Sequence, residues 1–134
     1  MASRILVIDD DESILELYRL ILADEAGYEV TLCLIAFEEV ADIEKMQPDL
    51  IILDAKLGAH QEGLLLLQKL KRYRPTEAIP VLLCSAADDL LRQNEATRRE
   101  RGVALLSKPF DIDDLLRVVT QLVGGKEGAA VWKS

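Results

Sequence analysis

The chain has 134 residues, enough for one domain and cramped for two. Its formal net charge of −8 argues against direct binding to nucleic-acid phosphates or anionic membranes, which is carried by clusters of Lys and Arg. Half of the residues are hydrophobic and only 4% are aromatic, so the expected core is Leu, Ile, Val and Ala, large enough to need no disulfide or metal staple.

The predicted elements alternate along the chain. Ile5 to Ile8 is a short apolar run of strand type, and Ser13 to Glu25 places Ile14, Leu17, Tyr18, Ile21 and Leu22 at helical spacing up to a stop at Gly27. Glu29 to Cys33 is the second strand and Phe37 to Met46 the second helix, closed before Pro48. Leu50 to Leu53 is a strand apolar on both faces, followed by a helix from Leu64 to Tyr73 that ends before Pro75. Pro80 to Cys84 is the fourth strand, Asp89 to Arg101 a polar helix, Val103 to Leu106 the fifth strand and Ile112 to Val123 the last helix. Arg92, Arg98, Arg99 and Arg101 are interleaved with Glu95 and Glu100, which reads as a solvated face and not a basic patch. Cys33 and Cys84 sit in or at the end of apolar runs and are expected to be buried as small hydrophobes with reduced thiols. No stretch approaches the ~20 apolar residues of a membrane span, and Ile5 to Ile8 is too short for a signal peptide. A cytoplasmic location is expected, with residues 1–124 as the domain and 125–134 as a tail or linker stub.

Non-alternating strands joined by helices predict a parallel sheet covered on both faces. Five such units predict a flavodoxin-like (βα)₅ doubly wound α/β fold with strand order 2-1-3-4-5. Ligands in such sheets bind beyond the carboxyl ends of the strands. There the chain places Asp9-Asp10-Asp11, Asp54, Ser85 and Ser107-Lys108-Pro109. Each has a plain structural reading. Asp10 or Asp11 can cap the first helix, Asp54 can be a turn residue, Ser85 can cap the fourth helix, and Lys108-Pro109 can be a stop. The set is harder to dismiss, because four of the five strands end in a charged or hydroxyl group on one sheet edge. Crowded carboxylates repel unless a cation sits among them. Oxygen donors without a Cys or His set favour a hard ion, Mg²⁺ or Mn²⁺. Asp54 would then be free to act as a nucleophile toward phosphorus, with Lys108 and the Ser85 hydroxyl on the other phosphoryl oxygens.

Four segments carry a family resemblance. These are Ile5 to Glu12, Leu50 to Asp54, Pro80 to Ala86 and Ser107 to Phe110. In that order and spacing they resemble the receiver domain of two-component response regulators, of the chemotaxis-regulator type, from about Arg4 to Val123. The resemblance implies a signalling phosphoacceptor and not an enzyme with a separate substrate. Asp54 resembles the acceptor, Asp10 the direct metal ligand, Asp9 its partner, and Lys56 the position whose backbone carbonyl completes the Mg²⁺ site. Ser85 resembles the switch hydroxyl, Ala86 the small residue beside it, and Lys108 the lysine, with a cis bond before Pro109. It also implies a histidine kinase or phosphotransfer protein as donor and a downstream protein effector as target. The implied partner face is the fourth helix, fifth strand and fifth helix, in a monomer or weak dimer. The chain departs from the family pattern at Gly58 (where Pro is usual), at Gly63 (one residue late) and at Leu105 (where an aromatic switch residue is usual).

Two other readings compete. A haloacid-dehalogenase-like phosphatase would use Asp9 as nucleophile, with Asp11 and Ser13 loosely in its spacing, but it gives Asp54 no role. A degenerate, non-phosphorylated flavodoxin-like binding module would explain the fold without the acids; the first loop lacks the Ser/Thr/Gly-rich phosphate cradle of flavin binders. His60, the single histidine, is read as an exposed loop residue.

Overall fold

A computed structural model describes residues 3–34, 40–55, 62–86, 102–108 and 110–124. Five strands, β1 (Arg4–Ile8), β2 (Glu29–Cys33), β3 (Leu50–Asp54), β4 (Val81–Ala86) and β5 (Val103–Lys108), form one sheet. All pairs are parallel and the order is β2-β1-β3-β4-β5, the doubly wound arrangement expected of the alternating pattern.

Helices cover both faces because the central strands are apolar on both. On one face lie α1 (Glu12–Tyr18), its π-helical continuation Arg19–Glu25, and α5 (Ile112–Val123). They bury Leu15, Tyr18, Ile21, Leu22, Leu115, Val119 and Leu122 against Ile5, Val7, Ile52, Leu82 and Cys84. On the other lie α2 (Val40–Met46) and α3 (Glu62–Arg72), whose Ile43, Leu66, Leu67 and Leu70 pack on Leu6, Ile8, Ile51, Leu53, Val81 and Leu83. Each fully buried aliphatic side chain contributes about 1.5–3 kcal/mol.

The first helix differs from its expected form. It begins as an α-helix and widens after Tyr18, with the Ala26 N–H bonding the Ile21 carbonyl five residues back at 3.1 Å. Ile21 and Leu22, three and four residues after Tyr18, both face the core, as helical spacing predicts. Gly27 then takes a left-handed conformation (φ 81°) that turns the chain into β2.

Several boundaries also move. β4 runs on to Ala86 and β5 to Lys108, so Ser85, Ser107 and Lys108 are strand residues and not flanking ones, paired Ser85 with Ser107 and Ala86 with Lys108. α3 starts at Glu62, two residues early, and ends at Arg72, before Pro75 as expected, while Pro75 itself lies in the first turn of a separate short helix, α4 (Arg74–Glu77). Cys84 is buried as expected, whereas Cys33, on the edge strand β2, is only half-buried.

Candidate acidic site

The site stands on the carboxyl edge of the sheet. Asp9 follows β1 directly, and its N–H continues the ladder to the Cys33 carbonyl at 3.0 Å. Asp54 is the last residue of β3, Ser85 the penultimate residue of β4, and Lys108 the last of β5. Parallel pairing brings these ends level, with Asp54 opposite Cys84 and Ser85 opposite Ser107.

Carboxylate oxygens of Asp9, Asp10 and Asp54 all lie within 4.8 Å of one another. Asp9 is 1% exposed, Asp54 9% and Ser85 2%, while Asp10 is exposed at the mouth. Lys108 reaches two of the acids: its Nζ donates to Asp9 Oδ2 at 2.8 Å and lies 3.6 Å from Asp54 Oδ2. Burial works to lower the Lys108 pKa, but the hydrogen bond to Asp9 and the charges of Asp9 and Asp54 outweigh it and raise the pKa. Lys108 is therefore a firmly protonated cation. One ammonium against three carboxylates leaves an anionic pocket of oxygen donors, a set suited to a hard divalent cation.

The three consecutive acids divide their work. Asp11 is the cap of α1, its Oδ1 accepting the Ser13 N–H at 2.9 Å and the Ile14 N–H at 3.4 Å. Asp9 Oδ1 accepts the Asp11 N–H at 3.0 Å, which ties the pocket to the helix start. Capping thus falls to Asp11, and Asp9 and Asp10 belong to the cluster.

Two features were not anticipated from the sequence. Beside Asp54, the Cys84 thiol meets the Tyr18 hydroxyl at 3.3 Å, and burial pushes the thiol pKa up to about 12. Behind Asp54, Gly63 of α3 is so close that a Cβ there would collide with the Asp54 carbonyl oxygen and sit 2.9 Å from Ala55 Cα. The one-residue-late glycine is thus a close-packing residue against the end of β3. Lys56, Gly58 and His60 lie outside the described residues, as do the predicted Asp89–Arg101 helix, Pro109 and the tail after Gly124.

The sequence model of the response regulator receiver domain matches residues 5–120, the strand–helix array together with the acidic edge. The chain belongs to the response regulator receiver domain family. The receiver is 36% identical over 121 residues to the DNA-binding dual master transcriptional regulator RpaA of Synechocystis, covering 90% of this chain and 48% of that protein. It is 34% identical over 121 residues to the DNA-binding transcriptional regulator NtrC of Proteus hauseri, covering 87% of this chain and 24% of that one. The chain thus spans half or less of the length of these curated relatives. Among solved structures, the CheY-like response regulator receiver domain protein of Methanospirillum hungatei superposes with a TM-score of 0.79 at 30% identity, covering 96% of this chain and 99% of that one. The receiver is therefore a signalling domain of the two-component type. Among the described residues, no helix is long and apolar enough to cross a membrane.

Proposed function

We propose that this receiver takes a phosphoryl group onto Asp54 from a phosphohistidine of a histidine kinase or phosphotransfer protein. The observation that carries the reading is the convergence of three acids within 4.8 Å, two of them reached by Lys108. An Asp54 carboxylate oxygen attacks the phosphorus, and the P–N bond to the donor imidazole breaks, its electron pair returning to the ring nitrogen. Lys108 stands beside Asp54 to pair with a phosphoryl oxygen, and the Ser85 hydroxyl donates to another. Asp9, Asp10, Asp54 and the Lys56 backbone carbonyl would hold Mg²⁺ (or Mn²⁺), which supplies neutralisation of the charge gathered around the phosphoryl group. Charge neutralisation and positioning are most of what such a transfer requires.

The same geometry speaks against Asp9 as nucleophile. Asp9 is buried, and both of its oxygens are engaged, Oδ1 by the Asp11 N–H and Oδ2 by Lys108. As a receiver the chain acts in the cytoplasm and passes its signal to a downstream protein through the predicted 89–101 helix, β5 and α5. Residues 125–134 serve as a tail or linker.

Incubation with acetyl phosphate and Mg²⁺ is expected to add one phosphoryl mass, labile to hydroxylamine, and Asp54→Asn is expected to abolish it. Retention of that mass in Asp54→Asn with loss in Asp9→Asn would instead favour the phosphatase reading.

A further inference from the structure

Tyr18 heads the fully buried side chains by volume among the described residues, and its phenol hydroxyl needs a partner away from water. That partner is Cys84 Sγ at 3.3 Å. Cys84 is the register partner of Asp54 across β3 and β4 and directly precedes Ser85. The Tyr18 ring also tilts against Phe110, centroids 5.7 Å apart and planes at 36°, two residues past Lys108. A leucine would fill such a core position without placing a hydroxyl beside the acceptor. The residue also marks the point where the first helix widens into its π-helical turn, a feature frequent at functional sites.

We infer that Tyr18 is a positioning residue for phosphoryl acceptance: its hydroxyl on Cys84 and its ring on Phe110 hold the ends of β4 and β5 against α1, fixing Asp54 and Lys108 relative to each other. Burial keeps both the phenol and the thiol protonated, so the pair is a neutral hydrogen bond that adds no charge to an already anionic pocket. Without it, the link between α1 and the end of β4 through Tyr18 and Cys84 is left to apolar packing, which fixes distance less sharply than a directional bond. Misplacement of a reacting group by an ångström lowers the rate of a step that depends on alignment.

The inference rests on Asp54 being the acceptor, and the test separates the two. Phosphorylation by acetyl phosphate with saturating Mg²⁺ is followed in wild type, Tyr18→Phe, Cys84→Val and the double variant, each checked for an intact fold by its thermal melt. The maximal rate is expected to fall about tenfold in either single variant. The half-saturating acetyl phosphate concentration should move less than twofold, and the double variant should be no slower than the singles. A role confined to core stability would lower the melting temperature and leave the maximal rate alone. Single-variant rates within twofold of wild type overturn the inference, as do losses that multiply in the double variant. Should Tyr18→Phe fail to fold, Cys84→Val, which leaves the ring and its Phe110 contact in place, reads the same hydrogen bond and decides alone. A wild-type protein that takes no phosphoryl group overturns the acceptor reading, and this inference with it.

Discussion

Cys84 shows how one buried side chain can set a pH limit. Its thiol is fully enclosed beside two carboxylates, and burial lifts its pKa from an ordinary 9.0 to about 12. The unfolded chain would release that proton near pH 9, whereas the folded chain holds it. The stability linked to the neutral thiol is thus fully present below pH 9 and is lost as pH rises toward 12. Tyr18, raised by burial, and Lys108, raised by Asp9 and Asp54 against its own desolvation, act in the same direction above their ordinary values of 10.0 and 10.5. Thermal melts from pH 8 to 11 are expected to show the midpoint falling from about pH 9 upward. Cys84→Val should flatten the first part of that fall. A midpoint constant across the range would show that these groups titrate alike in both states.

At the scale of elements, α3 is pinned to β3 by the absence of a side chain. The Gly63→Ala substitution puts a Cβ into the backbone of Asp54 and Ala55, and backbone cannot swing aside as a flexible side chain can. It is expected to destabilise the fold by about 2–3 kcal/mol, read from urea unfolding, and to slow phosphorylation by displacing the end of β3. The sequence signalled Gly63 only as a glycine out of its usual place, because the contact joins two elements and has no local signature. Elements with strong local signatures were legible. α5 runs from Ile112 to Val123 as expected, since Leu115, Val119 and Leu122 keep helical spacing between Asp111 and Gly124. The apolar runs understate the strand ends because Ser85, Ser107 and Lys108 are polar, yet ladder pairing is a backbone property that polar side chains do not interrupt. Pro75 marks the end of α3 correctly, since Arg72 is its last residue, but the short α4 that follows has no signature of its own, because a proline suits both a stop and the first turn of a helix. The acidic residues were legible because a parallel sheet gathers its strand ends at one edge. The Tyr18–Cys84 contact was not, since helical spacing marks Tyr18 as buried without saying what its hydroxyl meets.

For the molecule as a whole, the acidic edge is a source of strain as well as of chemistry. Three carboxylates share one ammonium, and their mutual repulsion opposes compaction. In metal-free buffer Asp10→Asn is expected to raise stability by about 1 kcal/mol. Adding Mg²⁺ should raise the wild-type melting temperature by binding only the folded state, and should do so much less in the variant. A destabilised Asp10→Asn protein, or equal metal responses, would contradict this account of the pocket. The sheet itself adds a further consequence. Successive strand residues face opposite sides. In β4 and β5 the even-numbered Leu82, Cys84, Ala104 and Leu106 pack on the α1 and α5 side, where alternation also sets Lys108. The odd-numbered Val81, Leu83, Val103 and Leu105 pack on the other side, where alternation sets Ser85 and Ser107. Residue parity within a strand thus assigns each position to one compartment of the molecule. Substitutions can retune either compartment while sparing the other, but inserting or deleting a single residue in β4 or β5 would exchange the two inventories at one stroke. In these strands a change of length therefore reaches further than a change of letter.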